Sequence, residues 1–249
     1  MSVRCERHGR VLLIRMEREG KRNAVDAALT RGIDEALNLL DDDGGLWAGV
    51  ITGTMSVFSA GSDLKDGTGG PTERGGEYGV IRRRRAKPLI AAVEGPAFGG
   101  GFEIALACDL VVAARTARFA LPEARRGVVA SSGALLRAMR ALPLNVAKEL
   151  LIAGAELDAE RGHQLGFVNR VTEPGGALAA ALQLADDVCA ASPVSVAASL
   201  AALAAQHEAA DEAGWAATAA AVDRVRASDD LREGVTAFFE KRPPRWTGR

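Results

Sequence analysis

Three short apolar runs, Ala48–Thr52, Leu89–Val93 and Leu110–Ala114, recur between stretches of helical character. They are too short for stable helices, so they read as buried strands. Ahead of them, Val3–His8 and Val11–Met16 form a hairpin pattern joined at Gly9-Arg10. Asp26 reads as an N-cap, with Leu29, Ile33, Leu37 and Leu40 following at helical spacing. One or two helical turns are expected over Val80–Arg85, a helix over Phe102–Cys108, and strands over Arg118–Ala120 and Val168–Val171. From Ala177 the sequence is Ala-rich and helical, with Leu178, Leu182, Ala185 and Cys189 on one face. Strands alternating with helices, then helices alone, specify an α/β core with an α-helical C-terminal region.

Apolar residues make up 48% of the 249 positions, enough for a sizeable core. Lys plus Arg (31) nearly balances Asp plus Glu (32), which argues against a nucleic-acid or anionic-membrane binder. The uncharged stretch Val188–Gln206 is mostly Ala and Ser and contains Pro193. Two helices meeting near Ser192-Pro193 fit it better than a membrane span. Cys5, Cys108 and Cys189 show no paired spacing, which suits a reducing cytoplasm. The charged N-terminal stretch has no signal-peptide core, so a cytoplasmic location is expected.

The segment EGPAFGGGFEIALACDL, Glu94 to Leu110, sets three glycines before an apolar stretch that carries Glu103. It is neither a P-loop nor a G-x-G-x-x-G fingerprint, and no G-x-S-x-G elbow occurs in the chain. His8, His163 and His207 are isolated, so no metal site is expected. Unpaired N–H groups at a helix start, approached closely through glycine, suit an oxygen that gains negative charge. A second glycine turn, Gly61-Ser62-Asp63, offers similar donors, and FALPEARRGV sets a further carboxylate, Glu123, after Pro122. Backbone donors would polarise a carbonyl while two carboxylates move protons beside it.

The ordered segments KRNAV, FSAGSDLK, AAVEGPAFGGGFEIALACDLVVA, ARFALPEARRGVV and AFFEKRPPRW make the chain resemble the enoyl-CoA hydratase (crotonase) family over nearly its whole length. The resemblance implies a spiral of β-β-α units over residues 1–190 and a helical trimerisation region over 191–249. It implies a homotrimer or a dimer of trimers. It further implies reversible addition of water to a trans-2-enoyl-CoA, with coenzyme A part of the substrate and no separate cofactor. Ser62 and Gly100 match the oxyanion-hole residues, and Glu103 and Glu123 match the acid–base pair. Arg22, Ala24, Ala60, Asp63, Leu64, Phe238 and Lys241 match positions that contact coenzyme A, the last two often from a neighbouring subunit.

The stretch after Glu123 departs from the family pattern: Ala130 stands for a proline and Ala134 for a glycine. Ser131, where many hydratases have glycine, is expected to shape the pocket. AFGGGFE, FALPEA and EKRPPRWTGR look nearest to the carnitinyl-CoA dehydratase branch, an alternative substrate class. A non-enzymatic acyl-CoA-binding or RNA-binding homologue is a further alternative. Arg82–Arg85 reads as a solvated helix face, with the coenzyme A phosphates as the sharper reading.

Overall fold

A computed structural model describes residues 2–249. Strands β1 (Val3–His8) and β2 (Val11–Met16) form the expected antiparallel hairpin. Helix α1 (Ala27–Asp42) starts where the Asp26 carboxylate accepts the Leu29 N–H, and it leads into β3 (Ala48–Thr52). Next come β4 (Leu89–Val93), β5 (Ala97–Phe98), α2 (Gly100–Ala107), β6 (Leu110–Ala114) and β7 (Arg118–Ala120). The helices α3 (Ala134–Ala141) and α4 (Leu144–Lys148) precede β8 (Glu156–Asp158), α5 (Ala159–Gln164) and β9 (Arg170–Thr172). Helices α6 (Ala177–Cys189), α7 (Pro193–Arg226) and α8 (Asp229–Glu240) complete the chain.

One sheet has the order β1-β2-β3-β4-β6-β9 and is parallel from β2 onward. Both of its faces are covered, which is why β3 and β4 are buried at every residue and almost wholly apolar. Ile14, Ile51, Ala91 and Val111 enter the main core. Their alternates Leu13, Val50, Ile90 and Val112 pack under α6, against Ala177, Ala181 and Ala185. A second sheet, β5-β7-β8, lies beside α2. Phe102, Phe119 and Phe167 lock the two together, with ring centroids 5.1 to 5.3 Å apart.

Two expectations shift at element ends. Helix α2 begins at Gly100 rather than Phe102, and the last strand is Arg170–Thr172 rather than Val168–Val171. The helical reading of Val80–Arg85 is overturned: a single 3-10 turn over Glu77–Gly79 gives way to turn and coil. The four arginines do not share one solvated face, because each is drawn to a different acid. Arg82 pairs with Glu77 and stacks 3.8 Å from the Trp215 ring centroid. Arg83, with its side chain 1% exposed, bridges Asp34 and Asp41 of α1. Arg84 reaches Glu208, and Arg85 binds Asp109 at 3.1 Å.

Ser192 caps α7, which turns 103° from α6. Among the described residues no single helix is long and apolar enough to cross a membrane. Of the 34 residues in α7 only Thr218 is buried. Helix α8 returns to the core. A methyl group on Gly234 would lie 2.2 Å from the Arg126 carbonyl, so glycine allows the close approach.

Candidate active site

The glycine turn at residue 61 and the helix start at residue 100 lie side by side. Ser59 bridges Ala97 in parallel, and the Phe98 N–H donates to Ser59 O at 2.9 Å. Gly61, at φ 91°, sits so close that a methyl group there would be 2.9 Å from the Gly100 nitrogen. The Ser62 and Gly100 N–H groups donate to nothing within the protein among the described residues. Each of the three consecutive glycines meets its own constraint. Gly99 adopts φ 53° and would place a methyl 2.9 Å from Glu123 Oε1. Gly100 abuts the Tyr78 ring, and Gly101 abuts the Ser59 carbonyl.

Glu103, on the first turn of α2, is 2% exposed. Its Oε1 accepts the Ser132 N–H at 2.7 Å and the Ala134 N–H at 3.2 Å. Glu103 thus caps α3 with one oxygen and leaves Oε2 without a partner in the protein. The departure at 130–134 keeps this function: the backbone supplies the donors, so Ala134 serves as well as glycine. Ala130 is buried in the core. Glu123 opens the 3-10 turn Glu123–Arg126, and its Oε2 is buried with no partner. Burial and the Glu123 charge push the Glu103 carboxyl up to about 8, against the pull of its backbone donors. Burial pushes Glu123 up to about 7, opposed by its own backbone N–H and by Arg126.

Both carboxylates line one cavity of about 230 Å³, together with Ser62, Gly100, Ala60 and Leu64. Ser131 stands on its exposed rim, and Phe238 closes it from α8 of the same chain. Arg22, Ala24, Asp63 and Lys241 lie outside this lining. Arg22 and Ala24 stay beside it, because residues 22–25 pair with 60–63: Ala60 N–H donates to Arg22 O, and Val25 N–H to Gly61 O. Asp63 is engaged internally, accepting from Arg18 at 2.7 Å and from the Lys65 and Asp66 N–H groups. These bonds hold its carboxyl below the usual range and fix the loop after Ser62. Lys241 ends α8 in a left-handed conformation at φ 54°.

The sequence reading missed Tyr78, Arg126, Val128, Val129 and Val235, all on the cavity wall. Arg126 lies 4.7 Å above the Phe238 ring. Tyr78 carries a signal in the sequence: it is the chain's one tyrosine, set in the glycine-rich segment. A larger concavity of about 710 Å³ lies between Arg82–Arg85 and α7. Its arginines at 82–85 are each paired with an acid, and it holds no glycine turn or free carboxylate pair. Among the described residues no group of three His, Cys, Asp or Glu side chains is placed to hold a metal ion.

Residues 6–249 match the family described as enoyl-CoA hydratase/isomerase. The mevalonyl-coenzyme A hydratase sidH of Aspergillus fumigatus is 37% identical over 253 residues, which is 95% of this chain and 91% of that protein. The crystal structure of a carnitinyl-CoA hydratase from Mycobacterium avium superposes with a TM-score of 0.93 at 37% identity, covering 100% of this chain and 99% of that one. That of an enoyl-CoA hydratase from Mycobacterium tuberculosis H37Rv gives 0.80 at 43% identity, with the same coverage. With these full-length matches, the chain belongs to the enoyl-CoA hydratase/isomerase family, and it is an enzyme of the hydro-lyase class.

Proposed function

We propose that this enzyme adds water reversibly, and syn, to a trans-2-enoyl-CoA to give a 3-hydroxyacyl-CoA. One observation carries the reading: two carboxylates with unpartnered oxygens share a cavity with two unspent backbone N–H groups. The Ser62 and Gly100 N–H groups would hold the thioester oxygen and bind hardest when it becomes enolate-like. Glu103 Oε2 would take a proton from water as its oxygen bonds to the β-carbon. Glu123 would give its proton to the α-carbon. The pair ends with its proton on the other carboxylate and resets through solvent. The two carboxyls, raised to about 8 and about 7, titrate as one coupled unit that holds a single proton near neutral pH, and that proton sits on Glu123 for addition of water and on Glu103 for its removal.

Coenzyme A would lie along residues 22–24 and 60–64, with Phe238 and Lys241 at the other side. We read residues 1–190 as the spiral core and 191–249 as an oligomerisation region of a cytoplasmic homotrimer or dimer of trimers. The exposed length of α7 supports this, since so long a helix rarely stands uncovered. The test is incubation of the purified enzyme with crotonyl-CoA. Loss of the enoyl thioester with formation of 3-hydroxybutyryl-CoA is expected, and no turnover of any enoyl-CoA overturns the proposal.

A second reading, carnitinyl-CoA dehydration, draws on the Mycobacterium avium relative named a carnitinyl-CoA hydratase. It is weakened by Ser131 and Arg126 on the cavity wall, where a trimethylammonium group would favour an acid or an aromatic cage. Turnover of crotonobetainyl-CoA in preference to crotonyl-CoA would establish it.

A further inference from the structure

Tyr78 sits between Gly76 and Gly79, and all three have positive φ; its own angles are φ 55° and ψ 11°. For a non-glycine residue that conformation costs about 1 kcal/mol or more, so the surrounding packing holds it. The strain secures a placement. The ring is 6% exposed and lies against Gly100, where a methyl group would be 2.7 Å from the ring and from the hydroxyl. The hydroxyl meets Ser62 Oγ at 2.8 Å.

A buried tyrosine that only filled space would need neither the strained backbone nor a place on the cavity wall. Here two hydroxyls carry two protons, and their one mutual contact uses one. One donor and several lone pairs are left over beside the residues that would hold the thioester oxygen. Glu103 and Glu123 make the same cavity hostile to a carboxylate, and Arg126 makes it hostile to a cation.

We propose that Tyr78, with Ser62 Oγ, is a specificity-determining residue that recognises an uncharged oxygen on the acyl group, so that this enzyme prefers a short hydroxylated 2-enoyl thioester to a plain one. The inference rests on the hydratase reading and narrows it.

The experiment compares kcat/KM for 4-hydroxycrotonyl-CoA and crotonyl-CoA in the wild type and in Tyr78→Phe, which removes the hydroxyl and keeps the ring. The wild type should favour the hydroxylated thioester, and Tyr78→Phe should lower that ratio about tenfold. Where Tyr78→Phe fails to fold, Ser62→Ala keeps the peptide N–H and should lower the same ratio. Equal losses on both thioesters, or a wild type without the preference, overturn this inference and leave the hydratase reading standing. A wild type that hydrates neither overturns both.

Discussion

Glu94 and Glu103 lie nine residues apart, and both are carboxylates buried at the N-terminus of a helix from elsewhere in the chain. Glu94 is 4% exposed and Glu103 is 2% exposed. Glu94 spends both oxygens: Oε1 accepts the Ala177 N–H at 2.7 Å and Oε2 the Gly175 N–H at 2.9 Å, which caps α6. Glu103 places both of its backbone donors on one oxygen and turns the other toward a cavity that also holds Glu123. A buried carboxylate is therefore no sign of chemistry by itself. The distribution of donors over its two oxygens separates a cap from a candidate base.

The largest expected effect breaks the comparison on the Glu103 side. Glu103→Gln and Glu123→Gln should each lower kcat for hydration by about 10²- to 10⁴-fold, with the fold retained by circular dichroism. Losses under about threefold would remove the carboxylates from the mechanism. Next in size is the pH profile. Below the range of about 7 to about 8 both carboxyls hold protons and the base is lost; above it both are ionised and the acid is lost. The value of kcat/KM should peak inside that range and fall on each limb by up to about tenfold per pH unit. A profile level across it would detach the rate from this pair.

The strands and α1 were legible because their signals are local. Apolar runs bounded by turn residues give β3, β4 and β6, and an Asp ahead of a periodic stretch gives α1. The glycine turns were legible as donors, but not their meeting, which depends on the Ser59–Ala97 bridge across the fold. Tyr78 was hidden because a strained backbone and a ring packed on Gly100 leave no periodic trace. Arg82–Arg85 misled for a related reason. Four like charges imply a shared environment, whereas the chain there is coil and each guanidinium finds its own acid.

A third effect concerns stability. Both carboxyls of the pair lie above the unfolded value of 4.5 in the folded state, so folding favours their protonated forms. Their contribution is fully present below that value and is lost as pH rises through about 7 to about 8. The double variant Glu103→Gln/Glu123→Gln carries no such proton linkage. Its stability relative to the wild type should therefore increase between about pH 5 and about pH 8, read from urea midpoints at each pH. A difference between the two proteins that is the same at both pH values would show that the pair is not raised.

The smallest effect probes the other glutamate. In Glu94→Gln the amide oxygen can keep the Ala177 N–H, but the amide nitrogen then faces the Gly175 N–H, donor against donor. The part-buried Gly175 N–H loses its acceptor and the α6 terminus loses a negative charge, at a combined cost of about 1–2 kcal/mol. For a chain of this size that is a fall in Tm of roughly 2–8 °C. The hydration rate per folded molecule should hold, because Glu94 is no part of the cavity lining. Loss of activity out of proportion to the loss of folded protein would place Glu94 in the same functional unit as Glu103, and the distinction between spent and unspent oxygens would fail.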